Sequence, residues 1–158
     1  MHTRRNILRA GGAAIFAGLA TPALANVNPS RALAFDNLHT GEKLAITYWQ
    51  DGSYVQDALT DINHVLRDHR NNEVHVIDPK LLDLINLLHR ELGSAQPFEV
   101  ISGYRSPATN AAMHERSAGV AAHSLHMQGM AIDIRLADTK LTTLHEAALD
   151  MRAGGVGF

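Results

Sequence analysis

The chain has 158 residues, with 14 Lys or Arg against 16 Asp or Glu, so its formal charge is −2 when the histidines are neutral. This length and a hydrophobic content of 46% fit one globular domain and exclude a disordered chain, and the near-neutral charge argues against a nucleic-acid binder. The lack of cysteine excludes disulfide scaffolds, thiolate zinc sites and cysteine nucleophiles, whereas ten histidines leave an imidazole-based metal site open.

Residues 1–25 have the composition of an export signal. Arg4 and Arg5 precede an apolar run over residues 10–20, and an A-x-A cleavage sequence ends at Ala25. The run is short and rich in Gly and Ala, whereas a membrane span needs about 20 apolar residues. The two arginines predict the twin-arginine (Tat) route through the Tat translocase. The remaining chain is expected in the periplasm or cell envelope, without a membrane span.

Residues 26–158 are predicted to form one domain that begins with a hairpin. The β-prone runs 32–35 and 44–49 flank a turn and predict this hairpin. Apolar residues at helical spacing predict a helix over 54–70. A second helix is predicted to begin after the N-cap Asp78 and to end at Gly93.

The second half of the domain alternates further strands and helices. The pattern predicts, in order, a strand at 97–101, a short helix at 108–116, a strand at 130–136 and a last helix at 140–151. The predicted fold class is therefore α+β, with a small, mainly antiparallel sheet packed by helices.

Residues that can bind a metal lie near the predicted strand at 130–136. His126 and Asp133 are seven residues apart across a glycine turn, so both can face one cleft and bind one cation. Zinc without thiolates takes imidazole and carboxylate ligands, and a catalytic site keeps three protein ligands and an open position. The same residues also fit structural roles, with His126 bonded to backbone and Asp133 paired with Arg135 or Arg105.

Several motifs extend over most of the chain beyond the export signal. They are Ser102-Gly-Tyr-Arg-Ser-Pro-x-x-Asn110, Ser117-x-Gly-Val-Ala121, His123-Ser-x-His-x-x-Gly-x-Ala-x-Asp133 and Met151-Arg-Ala-Gly-Gly-Val-Gly157, with Asn37-Leu-His-Thr-Gly-Glu42 and the helix at 63–70 upstream. In combination they resemble the murein endopeptidase K type of zinc peptidase. That type belongs to the group of D-alanyl-D-alanine metallopeptidases and hedgehog-like domains, so the resemblance implies their fold.

The resemblance also implies an activity and a cofactor, namely zinc-dependent hydrolysis of the peptide cross-links of peptidoglycan. By this resemblance His126 and Asp133 match the first two zinc ligands, and Arg105 matches an arginine beside the metal. Arg105 would stabilise the tetrahedral oxyanion or bind a substrate carboxylate. Ser102 and Ser124 are expected to support the loops of the site as hydrogen-bond partners of the ligand-bearing segments.

The resemblance implies a third zinc ligand at a position that this sequence does not contain. In the group, the third ligand and the general base form a His-x-Asp pair just after the Gly-Gly-Val-Gly-Phe strand, and this sequence ends at Phe158. Three alternatives follow: the C-terminal strand is missing, the activity is lost, or another histidine substitutes, with His123 the nearest. The function is thus a murein endopeptidase or, alternatively, a catalytically incomplete wall-binding or scaffold protein of the same fold.

Overall fold

The computed structural model describes residues 30–117 and 119–157. The predicted export signal, residues 1–25, lies outside the described residues. Within these ranges, no helix is both long enough and apolar enough to cross a membrane.

The predicted N-terminal hairpin is confirmed. β1 (Arg31–Asn37) and β2 (Lys43–Gln50) pair antiparallel, and β3 (Ser53–Tyr54) extends the sheet beyond β2. The turn between β1 and β2 forms because the Asn37 side chain accepts hydrogen bonds from the backbone N–H groups of His39 and Thr40.

Two further strands complete the sheet on the other side of β1. β4 (Phe98–Ser102) pairs parallel to β1, and β5 (Asp133–Arg135) pairs antiparallel to β4, which gives the order β3-β2-β1-β4-β5. Since the β1–β4 pair is the parallel one, the sheet is mainly antiparallel, as predicted. β5 has three residues and is shorter than the predicted strand at 130–136. β5 lies at an edge of the described sheet, so it pairs on one side with β4 alone. The register of that pairing shifts between Val100 and Ser102, which interrupts the β4–β5 hydrogen bonding.

The described residues contain four helices, close to the predicted positions. They are α1 (Gln56–Val65), α2 (Pro79–Leu92), α3 (Pro107–Arg116) and α4 (Leu141–Asp150). The caps of α2 are as predicted, because the Asp78 side chain accepts from the Lys80 N–H and Gly93 ends the helix with a φ of +61°.

α1 ends at Val65, five residues before the predicted end at 70. The chain turns there because the Asp68 carboxylate accepts from the Arg70 N–H, while the Asp68 N–H donates to the carbonyl of Glu73. This early end places the loop after α1 beneath the segment that follows β4.

The core lies between the sheet and the helices. Alternate residues of β1 point into it, and its largest fully buried apolar side chains are Phe35, Tyr48, Ile62, Leu66, Ile77, Leu82, Phe98 and Val100. Because β1, β4 and α1 meet in this core, the loops that follow β4 and α1 lie on a rigid base.

Candidate metal centre

The fold brings His126 and Asp133 together. His126 lies on a short 3₁₀ turn, Leu125–Gln128, and Asp133 is the first residue of β5. The Nε2 atom of His126 is 3.4 Å from Oδ1 of Asp133, and the two side chains are 12% and 50% exposed. Gly129, with a φ of +65°, reverses the chain between them, and a Cβ atom there would lie 2.2 Å from the carbonyl oxygen of Val76.

The other ring nitrogen of His126 lies against a backbone carbonyl. His126 Nδ1 is 2.8 Å from the carbonyl oxygen of Gly103. A carbonyl can only accept a hydrogen bond, so Nδ1 carries the proton and donates it. In a neutral ring, Nε2 then presents a lone pair near the Asp133 carboxylate.

Two hydrogen-bond acceptors at this distance repel each other unless a cation lies between them. That cation is a proton on His126 or a metal ion, and imidazole and carboxylate are both ligands that zinc takes. The interaction with His126 lowers the pKa of Asp133 below its ordinary value; burial opposes this shift, and the charge of Arg105 adds to it. The pair therefore fits a metal ion by the chemistry of its donors.

Arg105 belongs to the same site and lies on the loop after β4. Its backbone N–H donates to the carbonyl of His126 at 3.1 Å, which joins the two loops. Its Nη1 donates to Oδ1 of Asn110 at 3.4 Å. Its Nε is buried without a hydrogen-bond partner among the described residues. A buried donor without a partner is costly and rare, so this guanidinium has capacity to bind a further acceptor.

A close backbone contact fixes the start of the Arg105 loop. The N–H of Tyr104 donates to the carbonyl of Leu66 at 2.8 Å. A Cβ atom on Gly103 would lie 2.4 Å from the same carbonyl oxygen, so glycine is required for this approach. The same Gly103 supplies the carbonyl that orients His126.

A buried carboxylate supports this loop from below, and the sequence analysis did not identify it. Asp68 is fully buried, and it accepts from the backbone N–H groups of Ser106 at 3.0 Å and Arg70 at 3.1 Å. Ser106 in turn caps α3, since its Oγ accepts from the Thr109 N–H. The Asp68 carboxylate lies 38 residues before Ser106 in the chain, so nothing local in the sequence indicated this contact.

The two serines expected to support the site lie beside the segments that carry His126 and Asp133. The Oγ of Ser124 accepts from the His126 N–H at 3.3 Å and caps the 3₁₀ turn. Ser102 is buried and pairs with Asp133 in the β4–β5 ladder. Both contacts are with the segments that carry the histidine and the aspartate.

His123 lies apart from this pair, on the wall of a neighbouring cavity. It is exposed and lines a volume of about 320 Å³ with His114, Asn110 and Met127, among others. Within residues 30–117 and 119–157, no three His, Asp or Glu side chains are grouped so that they could hold a metal ion. The substitute role of His123 stays a prediction.

The structural roles considered for His126 and Asp133 correspond to contacts in the fold. His126 is bonded to backbone, but through Nδ1, which leaves Nε2 free for Asp133. Arg135 pairs with Glu99 on the adjacent strand. Arg105 acts on Asp133 through its charge. The geometry thus brings Arg105, His126 and Asp133 into one site.

Comparison with known proteins supports a common ancestry over the whole described domain. The family model described as "Peptidoglycan L,D-endopeptidase MepK" matches residues 25–158. A protein of that name from Escherichia coli (strain K12) is 42% identical over 158 residues, covering 98% of this chain and 87% of the relative. A "Probable peptidoglycan L,D-endopeptidase MepK" from Haemophilus influenzae is 36% identical over 137 residues, covering 86% and 74%. No solved structure gives a significant match.

Proposed function

Because the chain belongs to the peptidoglycan L,D-endopeptidase MepK family of M15 peptidases, we propose that it hydrolyses L,D peptide cross-links of peptidoglycan. The observation that carries this proposal is the 3.4 Å approach of His126 Nε2 to Asp133, with the proton of His126 on the opposite nitrogen. An imidazole nitrogen and a carboxylate that face each other beside a charged Arg105 are a donor set that fits a metal-dependent hydrolase.

We propose zinc as the metal, with His126 and Asp133 as two of its ligands. Imidazole and carboxylate fit zinc in a protein that has no thiolates. When bound, zinc would supply Lewis-acid polarisation of the scissile carbonyl and would lower the pKa of a water molecule. The Gly103 carbonyl fixes the tautomer and ring orientation of His126, so that Nε2 is available as a ligand atom.

Arg105 is proposed to act on the reacting amide directly. Its guanidinium is always charged and half-buried, and its Nε has no hydrogen-bond partner among the described residues. An oxyanion that develops on the scissile carbonyl, or a carboxylate of the stem peptide, would complete the hydrogen bonding of this group. The backbone N–H of Arg105 donates to the His126 carbonyl, so the arginine is held beside the segment that carries the histidine.

We also propose that the protein works in the periplasm or cell envelope, where peptidoglycan lies, and that it is exported by the Tat route. The support is the Arg4-Arg5 pair followed by an apolar run and an A-x-A sequence.

The function is tested with the purified, zinc-loaded protein, with His126→Ala and Asp133→Ala variants, and with Asp150→Ala as a control at an exposed carboxylate of α4. We expect one zinc per chain by elemental analysis and conversion of L,D-cross-linked muropeptide dimers to monomers, measured by chromatography. The two ligand variants should lose both properties, and the control should keep them. If Asp133→Ala keeps both cleavage and zinc, Asp133 is not a zinc ligand. If the wild type binds peptidoglycan but does not cleave it, the result favours a wall-binding protein of this fold.

A further inference from the structure

A single buried amide contacts two segments of the proposed site. Asn110 is on α3 and is 2% exposed. Its Oδ1 accepts from Nη1 of Arg105 at 3.4 Å. Its Nδ2 donates to the carbonyls of Ala121 at 3.0 Å and Ala122 at 3.4 Å. These two alanines precede the His123–His126 segment, so the amide lies between the arginine and the loop that leads to the histidine.

The partners of Asn110 determine which end of its amide faces which segment. Backbone carbonyls can only accept hydrogen bonds, and a guanidinium can only donate them. The oxygen must therefore face Arg105, and the nitrogen must face the loop. Of the standard side chains of this size, Asn alone offers an acceptor and a donor in this planar arrangement.

Few other contacts orient these two segments. In the described part of the chain, the Arg105 guanidinium donates one hydrogen bond, from Nη1 to the Asn110 oxygen. Its Nε has no hydrogen-bond partner there. The loop residues 121–123 are exposed, and the loop is otherwise connected to α3 by His114, whose Nδ1 is 2.6 Å from the carbonyl of Val120. Asn110 also forms part of the wall of the cavity that adjoins the loop.

We propose that Asn110 is a positioning residue: it orients the Arg105 guanidinium towards the reacting atoms and fixes the 121–122 loop relative to it. The kinetic part of this proposal rests on the proposed hydrolase function. Its structural part, the pairing of Asn110 with Arg105, does not. A misplacement of about 1 Å in such a group can cost about 100-fold in rate, so the effect should be measurable.

The kinetic test uses Asn110→Leu, which preserves volume and removes every hydrogen bond, and Asn110→Asp, which keeps an acceptor for Arg105. Asn86→Leu is the matched control, because Asn86 is another buried amide, 8% exposed, whose Nδ2 donates to the carbonyl of Ala32 away from the site. We expect Asn110→Leu to lower kcat about 10- to 100-fold with KM and zinc content unchanged. Asn110→Asp should recover part of kcat, and Asn86→Leu should lower only the melting temperature.

A double-mutant cycle tests whether Asn110 acts through Arg105. If it does, Asn110→Leu should cost little further rate in an Arg105→Ala background, because the group that it orients is already gone. Independent, multiplicative losses in rate would overturn the proposal.

A second readout does not depend on activity. In protein labelled with ¹⁵N-arginine, the Arg105 side-chain signals are identified by their loss in Arg105→Ala. Asn110→Leu should shift these signals and speed the rotation of the guanidinium, whereas Asn86→Leu should not.

Unchanged Arg105 signals in a folded Asn110→Leu protein would overturn the proposal. If the Leu variant does not fold, the Asn110→Asp spectrum decides the question. If the wild type cleaves no muropeptide, the proposed function fails while these spectra still decide the pairing.

Discussion

At the scale of single residues, the tautomer and ring orientation of His126 are set by a backbone atom. The Gly103 carbonyl accepts a hydrogen bond from the Nδ1–H of His126, and Asp133 lies near the other ring nitrogen, Nε2. A histidine on this turn without that carbonyl could present either nitrogen to a metal. The contact therefore orients Nε2, the nitrogen that we propose as a zinc ligand.

Arg105 carries the first prediction at this scale. Its replacement by alanine removes a fixed positive charge and several hydrogen-bond donors that we propose act on the scissile amide, but no atom proposed to bind zinc. We expect Arg105→Ala to lower kcat about 100- to 1,000-fold while zinc content stays at the wild-type value. Steady-state cleavage of L,D-linked muropeptides and elemental analysis measure the two quantities.

Arg116→Ala, at the exposed C-terminal end of α3, is the control for loss of an arginine. It should leave both quantities unchanged. If zinc is lost from Arg105→Ala, the arginine supports the structure of the metal centre and does not act on the substrate.

At the scale of secondary-structure elements, the site depends on how one loop is fixed between α1 and α3. Asp68 follows α1, and its carboxylate accepts from the Ser106 N–H at the start of α3. Ser106 also accepts from Nδ2 of Asn71 through its hydroxyl, at 2.9 Å. The residue between Tyr104 and Ser106 is Arg105, so these bonds determine where its backbone lies.

Asp68 leads to a prediction about stability and its dependence on pH. Burial tends to raise the pKa of Asp68, but hydrogen bonds from Thr109, Ser106 and Arg70 outweigh it and lower the pKa below its ordinary value. A carboxyl whose pKa is lower in the folded state stabilises the protein above the unfolded pKa of about 3.9, and this contribution is lost as the pH falls through the folded pKa. We expect Asp68→Asn to reduce the free energy of unfolding at pH 7 by about 2 kcal/mol.

The measurement is urea unfolding of both proteins at pH 7, 5 and 3. The difference between wild type and Asp68→Asn should be largest at pH 7 and 5, and it should shrink below about pH 4. Asp61→Asn, at an exposed position on α1, should differ little from wild type at any of these values. A difference that stays constant down to pH 3 would show that the charge of Asp68 contributes nothing.

At the scale of the whole molecule, the family and the predicted signal together imply a protein that acts outside the cytoplasm. The signal lies outside the described residues, so export is tested directly. Residues 1–25 are fused to a reporter that is active only when it is exported folded, in cells with and without the Tat translocase.

We expect the fused reporter to be active only in cells that have the translocase. Replacing Arg4 and Arg5 by Lys should reduce that activity at least tenfold, because the route reads the arginine pair itself rather than its charge. Conversely, activity that persists in cells without the translocase would assign the signal to a different export route.

Short-range features of the fold could be predicted from the sequence. The hairpin, α2 with its Asp78 and Gly93 caps, and the helix after Ser106-Pro107 depend on residues within a few positions of each other. The extent of α1 and β5 could not, because contacts from Glu73 and from the β4 register decide where they end. The motifs that carry the family resemblance likewise lie in short segments, which is why Arg105, His126 and Asp133 could be selected.

The sequence by itself thus determined the local elements, the composition of the site and the family. Only the tertiary structure decided that Nε2 of His126 lies 3.4 Å from Asp133, that Gly103 orients the ring, and that Asp68 and Asn110 fix the segment around Arg105. These contacts join residues that are separated along the chain, by as many as 38 positions for Asp68 and Ser106. No local pattern encodes such a pairing, because it forms only when the sheet and the helices pack around a common core.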